Sequence, residues 1–178
     1  MSRGYRIRWA PPVWHSAQAK VESEDAISMD VGMLEILPEA EMLALLRERL
    51  AEAGWTREED GRMRTRIGGV EVELAADGRS VSARASASKQ VDVRSTVQAE
   101  VEGRLERAQE GAKRELSREV AERIIRSEGE IREALQGALQ RVYVEALHRK
   151  AASLGEIESV VSGEGADGEL ELTIKVKV

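Results

Sequence analysis

Two histidines and no cysteine bound what this 178-residue chain can do chemically. His15 stands beside Ser16, a base next to a hydroxyl, but nucleophilic catalysis needs the two side chains to face each other within hydrogen-bond reach. No G-x-S-x-G elbow accompanies them, and the other histidine, His148, falls in a stretch of helical spacing. We read Trp14-His15-Ser16 as a loop. Gly163-Glu-Gly165-Ala-Asp-Gly168 matches the letters of a dinucleotide fingerprint. That motif requires a strand before it and a helix after it, so that helix amides meet the pyrophosphate. Here a strand pattern follows, and Glu164 and Asp167 would repel phosphate, so we read a turn. Glu22, Glu24 and Asp25 read as a solvated acidic loop, with neither H-E-x-x-H nor EF-hand spacing around them. No residue is assigned to catalysis, to a cofactor or to a metal, and no cofactor is expected.

The remaining candidates are surface chemistry. Trp9, Trp14 and Trp55 each stand at or just beyond the end of an expected element, flanked by charge. They either pack onto a small helix or anchor a protein interface, where tryptophan is enriched among energetic hot spots. Arg6 and Arg8 alternate along one strand, and Arg62, Arg64 and Arg66 along another, so a basic sheet face is permitted. Trp9, Trp14, Trp55, Arg6, Arg8, Arg64 and Arg66 are therefore the candidate interaction surface. A net charge of −6 opposes nucleic acid as the partner unless those arginines converge.

The elements that must position these residues follow from periodicity. From Val97 to Ile124 apolar residues recur every three to four positions, and Glu-to-Arg pairs four apart stitch the other faces. The mean step exceeds 3.5, so this is no leucine zipper. Ser127-Glu-Gly129-Glu predicts a break, with Ser127 capping a second helix that stops at Leu154-Gly155. Pro38, Glu39 and Glu41 open a short helix whose face is Met42, Leu43, Leu45, Leu46 and Leu50. Gly68-Gly69 and Asp77-Gly78 separate short alternating runs, a meander. Glu156 to Asp167 reads as a loop, and Leu170 to Val178 alternates as a one-sided strand that we expect to join the N-terminal sheet.

We thus expect an α+β fold with an antiparallel sheet of strands near 5–9, 26–31, 62–67, 70–75, 80–87 and 169–178. One short helix (38–53) and two long helices (about 94–127 and 129–154) complete it. The chain reads as a single domain, 1–178, with a β-rich part (1–90) and a long-helix part (91–178) as its subdivision. No apolar run approaches the ~20 residues a membrane helix needs, and the basic N-terminus lacks the apolar core of a signal peptide. A cytoplasmic location is the expectation.

The opening strand, the small helix ending in Ala53-Gly54-Trp55, and the Gly-Gly and Asp-Gly meander together resemble accessory proteins of bacterial AAA+ ATPase systems of the FtsH/MoxR ternary type. The resemblance covers roughly residues 5–90 and carries no catalytic residue. It implies a substrate adaptor or regulator of an ATPase machine. From the residues themselves we expect a non-enzymatic interaction protein, with the ATPase or its substrate as partner and self-association through the long-helix stripe. The alternatives are a small enzyme with a pocket between sheet and helices, or a binder of an anionic partner through the arginine face.

Overall fold

The computed structural model describes residues 11–164 and 170–177. The fold is α+β. A five-stranded antiparallel sheet has the order β1-β5-β4-β3-β2, and a separate two-stranded sheet pairs β6 with β7. The sheet strands are β1 (His15–Asp30), β2 (Thr56–Arg57), β3 (Met63–Ile67), β4 (Val70–Leu74) and β5 (Ser80–Ser95). Helix α1 (Glu39–Glu52) follows β1, helix α2 (Gln98–Leu154) follows β5, and β6 (Glu156–Glu164) and β7 (Leu170–Lys177) close the chain. The strand expected at 5–9 lies outside the described residues.

By internal contacts the chain forms two compact units: residues through Asp25 with Ser86–Ala121, and Ala26–Ala85 with Glu122–Val178. The first has a thin core. Val21, Ala112 and Leu116 are buried, with Ala87 and Val91 packed against them. Ser23 Oγ and Ser117 Oγ, 3.0 Å apart, and a Lys89 Nζ to Glu115 ion pair of 2.6 Å tie strand residues to helix residues.

The second unit is built around larger side chains. Met42, Leu45, Leu46 and Leu50 of α1 are buried, as are Met63, Val70, Val72 and Leu74 of β3 and β4. Helix α1 ends in a Schellman motif, in which Gly54 at φ 88° lets its own N–H reach Ala51 O and that of Trp55 reach Leu50 O. This turn carries Trp55 into the core, where its side chain is buried. Gly68 and Gly69, both at positive φ, make the two-residue β3–β4 turn and set the register Arg64↔Glu73 and Arg66↔Glu71. Leu34 N donates to Tyr143 Oη at 3.2 Å, and that hydroxyl donates to Gly32 O at 3.3 Å, pinning the loop before α1 to α2.

Three expectations are corrected. The two long helices are one helix of 57 residues. Ser127 does not cap a new helix. It is buried inside α2, where its hydroxyl donates to Gly68 O at 3.3 Å. One helical glycine costs about 1 kcal/mol, which the burial of Ile124, Ile131 and Leu135 around Gly129 readily offsets. The C-terminal strand does not join the N-terminal sheet but pairs with β6, a strand formed from the stretch read as a loop. Finally, β1 starts at His15 and β5 runs to Ser95, so Trp14-His15-Ser16 is a strand entry and Glu22, Glu24 and Asp25 are strand residues.

Candidate interaction surfaces

The sheet face opposite the buried residues of β3 and β4 is a lattice of charge. The alternation that puts Met63, Val70, Val72 and Leu74 inward puts Arg64, Glu71 and Glu73 outward. Arg64 Nη2 donates to Glu73 Oε2 at 2.9 Å, its Nη1 lies 3.7 Å from Glu58, and its Nε is 3.2 Å from Glu71 Oε1. Arg62 donates to Glu73 Oε1 at 2.8 Å and, through Nε, to Asp60 Oδ2 at 2.6 Å. The hydrogen bond from Arg64, followed by that from Arg62, holds the Glu73 carboxyl below its ordinary value. Hydrogen bonds from the Arg62 side chain and backbone do the same to Asp60. Both arginines are pushed up in turn, Arg62 chiefly by Asp60 and Arg64 chiefly by Glu73.

Two guanidinium groups are thus shared among four carboxylates, and Arg66 stands in register with Glu71. An incoming phosphate at Arg62 or Arg64 would have to displace carboxylates already seated. The signal for Glu71 and Glu73 was in the sequence: a two-residue Gly-Gly turn dictates which residues face Arg64 and Arg66.

Trp14 is 62% exposed just ahead of β1, whereas Trp55 is buried and offers no surface. Trp9, Arg6 and Arg8 lie outside the described residues. Trp14 belongs to the first unit and Arg64 and Arg66 to the second. His15 and Ser16 are successive strand residues, so their side chains point to opposite faces of β1. Glu22 pairs with Lys20. Among the described residues no cluster of histidine and acidic side chains has metal-binding geometry. In the Gly163–Gly168 motif, Gly163 and Glu164 end β6 and the next element is strand β7, while 165–168 lie outside the described residues.

One cleft in the second unit, of about 360 Å³, is lined by Asp30, Leu34, Glu39, Met42, Asp77 and Arg79 among others. Arg79 is spoken for. It donates to Glu39 Oε1 at 2.6 Å, and that bond is the main cause of its raised pKa. With the arginine neutralised, the carboxylates leave the cleft acidic and unsuited to an anionic substrate.

The β6–β7 hairpin carries open apolar surface in this unit. Val160 is 39% and Val161 60% exposed, and Leu172, Ile174 and Val176 are only half-buried. Helix α2 adds Ile125, 69% exposed, among the acid-first pairs Glu122–Arg126 and Glu128–Arg132.

No curated protein and no solved structure matches the chain. A family model described as FtsH ternary system domain X5 matches residues 1–178. The chain belongs to that family.

Proposed function

We propose that this FtsH ternary system X5 protein is a non-enzymatic adaptor that presents surfaces to an AAA+ protease or to a protein delivered to it. The observation that carries the reading is the family match along the whole chain, since the family name ties its members to an FtsH system. Other observations support it. Arg62 and Arg64 are consumed by internal ion pairs, while exposed apolar side chains remain at Trp14, Ile125 and Val161. Exposed apolar groups set among interleaved charges are what a protein interface uses. Among the described residues no helix is long and apolar enough to cross a membrane. We place the protein in the cytoplasm, on the side where an ATPase domain would meet it.

The test is to mix the purified chain with the FtsH-type ATPase encoded in the same bacterium. ATP hydrolysis and degradation of a fluorescent substrate are followed while complex formation is read by analytical ultracentrifugation. Binding accompanied by a change in either rate supports the adaptor. Absence of binding together with unchanged rates overturns it.

A further inference from the structure

We propose that the free edge of β7 is a self-association surface, on which β7 of a second copy pairs antiparallel about a two-fold axis through Thr173. Among the described residues β7 is hydrogen-bonded to β6 alone. Among the described residues no strand lies beside its outer edge, and the unpaired N–H and C=O groups of such an edge are the template on which another strand adds. A two-stranded sheet is also marginal by itself, and further strands are what make it stable.

The occupant is chosen by charge. Read outward from Thr173, β7 is complementary to its own reverse: Glu171 mirrors Lys175, Leu172 mirrors Ile174, and Leu170 mirrors Val176. An antiparallel pair centred on Thr173 sets Glu171 of each copy opposite Lys175 of the other, so two opposite-charge pairs form by symmetry. Glu171, Thr173 and Lys175 are all exposed, and the half-buried Leu172, Ile174 and Val176 share the other face. Pairing joins the apolar faces of two hairpins into one four-stranded face that also includes Ile157 and Val160 of each copy.

The β6 edge lacks this property. Its self-pairing about Val160 would set Glu156 opposite Glu164, like charges that oppose the contact. The self-complementary edge is β7, and an isologous contact there closes at a dimer.

Because the chain has no cysteine, a single introduced thiol reports on this geometry. In the proposed pairing the two copies of residue 173 face each other with Cα atoms about 4.5–5.5 Å apart, within disulfide range. In the full chain, Thr173→Cys should cross-link on mild oxidation to a dimer, whereas Glu171→Cys, about four residues out of register with its copy, should not. Equal cross-linking of the two variants overturns the register.

Charge reversal gives an independent reading by sedimentation. Glu171→Lys and Lys175→Glu should each weaken dimerisation on the order of tenfold, since each sets like charges opposite at two places. An equimolar mixture of the two variants, or the double swap in one chain, should restore it. A wild-type monomer at every concentration, or open-ended multimers built by β6 pairing with β7 of the next copy, would overturn the proposal. So would single reversals without effect, or a mixture that fails to restore association.

Discussion

Two of the antiparallel hairpins, β3–β4 and β6–β7, are made from similar material and put to different ends. In β3–β4 the apolar side chains of Val70, Val72 and Leu74 are fully buried, and the other face is closed by the Arg62–Glu73–Arg64 lattice. In β6–β7 the equivalent apolar side chains are only partly buried, and among the described residues neither strand has a second partner. Alternation alone does not separate them. Val70-Glu-Val-Glu-Leu74 and Leu170-Glu-Leu-Thr-Ile174 are nearly the same pattern. The difference lies in what covers each one: β3–β4 is packed into the core, and β6–β7 is the hairpin we propose for self-association.

The largest test of this contrast is truncation of one apolar residue in each. Leu74→Ala should lower unfolding free energy by about 2–5 kcal/mol, the cost of a cavity in a close-packed core. Ile174→Ala, measured in dilute protein, should cost less, about 1–2 kcal/mol, since the side chain keeps part of its surface in water. Equal losses in urea titration would erase the distinction.

Two glycines offer a second comparison. Gly68 has φ 57°, and a Cβ there would collide with Ser127 Oγ, so Gly68→Ala should cost roughly 1–3 kcal/mol. Gly163 on β6 has open space around it, and Gly163→Ala should change stability by under about 0.5 kcal/mol. Thermal midpoints of the two variants check this.

Hydrogen exchange sharpens the comparison without mutation. The amides of β4 should exchange only through global unfolding, and those of β6 through local opening, faster by at least about tenfold. Similar protection in dilute protein would mean that β6–β7 is held as firmly as the core.

Acid provides the smallest effect. Glu73 and Asp60 have pKa values lowered in the folded state, so their stabilisation is present above the unfolded carboxylate range and fades as pH falls through the folded values. The urea midpoint should drop as pH falls below about 4.5, and Glu73→Gln should flatten that slope. The flattening is modest, because partly exposed ion pairs are screened by solvent.

The same contrast explains what could be read without coordinates. Helix α1, the Gly-Gly turn and the alternation of 170–177 were legible because each is a local pattern with a local cause. Strand β6 was not. Its register shifts between Ile157 and Ser159, which breaks the two-residue period, and serines and glutamates occupy much of the rest. The early part of β1 was hidden in a similar way, since Ala17, Ala19 and Ser23 are partly covered positions filled by residues too small or polar to register as a core. Helix continuity was lost at Ser127, a buried place in the stripe Ile124, Ser127, Ile131, Leu135 held by a hydroxyl instead of a hydrocarbon. Among the candidate residues, Arg64 and Arg66 were legible as a row, and the Gly-Gly turn already set Glu73 and Glu71 opposite them. The reach of Arg64 to Glu58, which no strand register fixes, was not legible.

The bond from Ser127 to Gly68 O also acts as an index mark on α2. A helix packed by hydrocarbon alone can slip by one turn and find similar partners. This one meets a turn that only glycine leaves open, so its rotation and its position along the axis are both set at residue 127. Counting from that mark, one residue inserted after Ser127 turns every later position by about 100°. Ile131, Leu135, Ala138, Val142 and Ala146 would swing out of the core together. The helix is thus phased from its middle, and the spacing of residues beyond that point is inherited as a block.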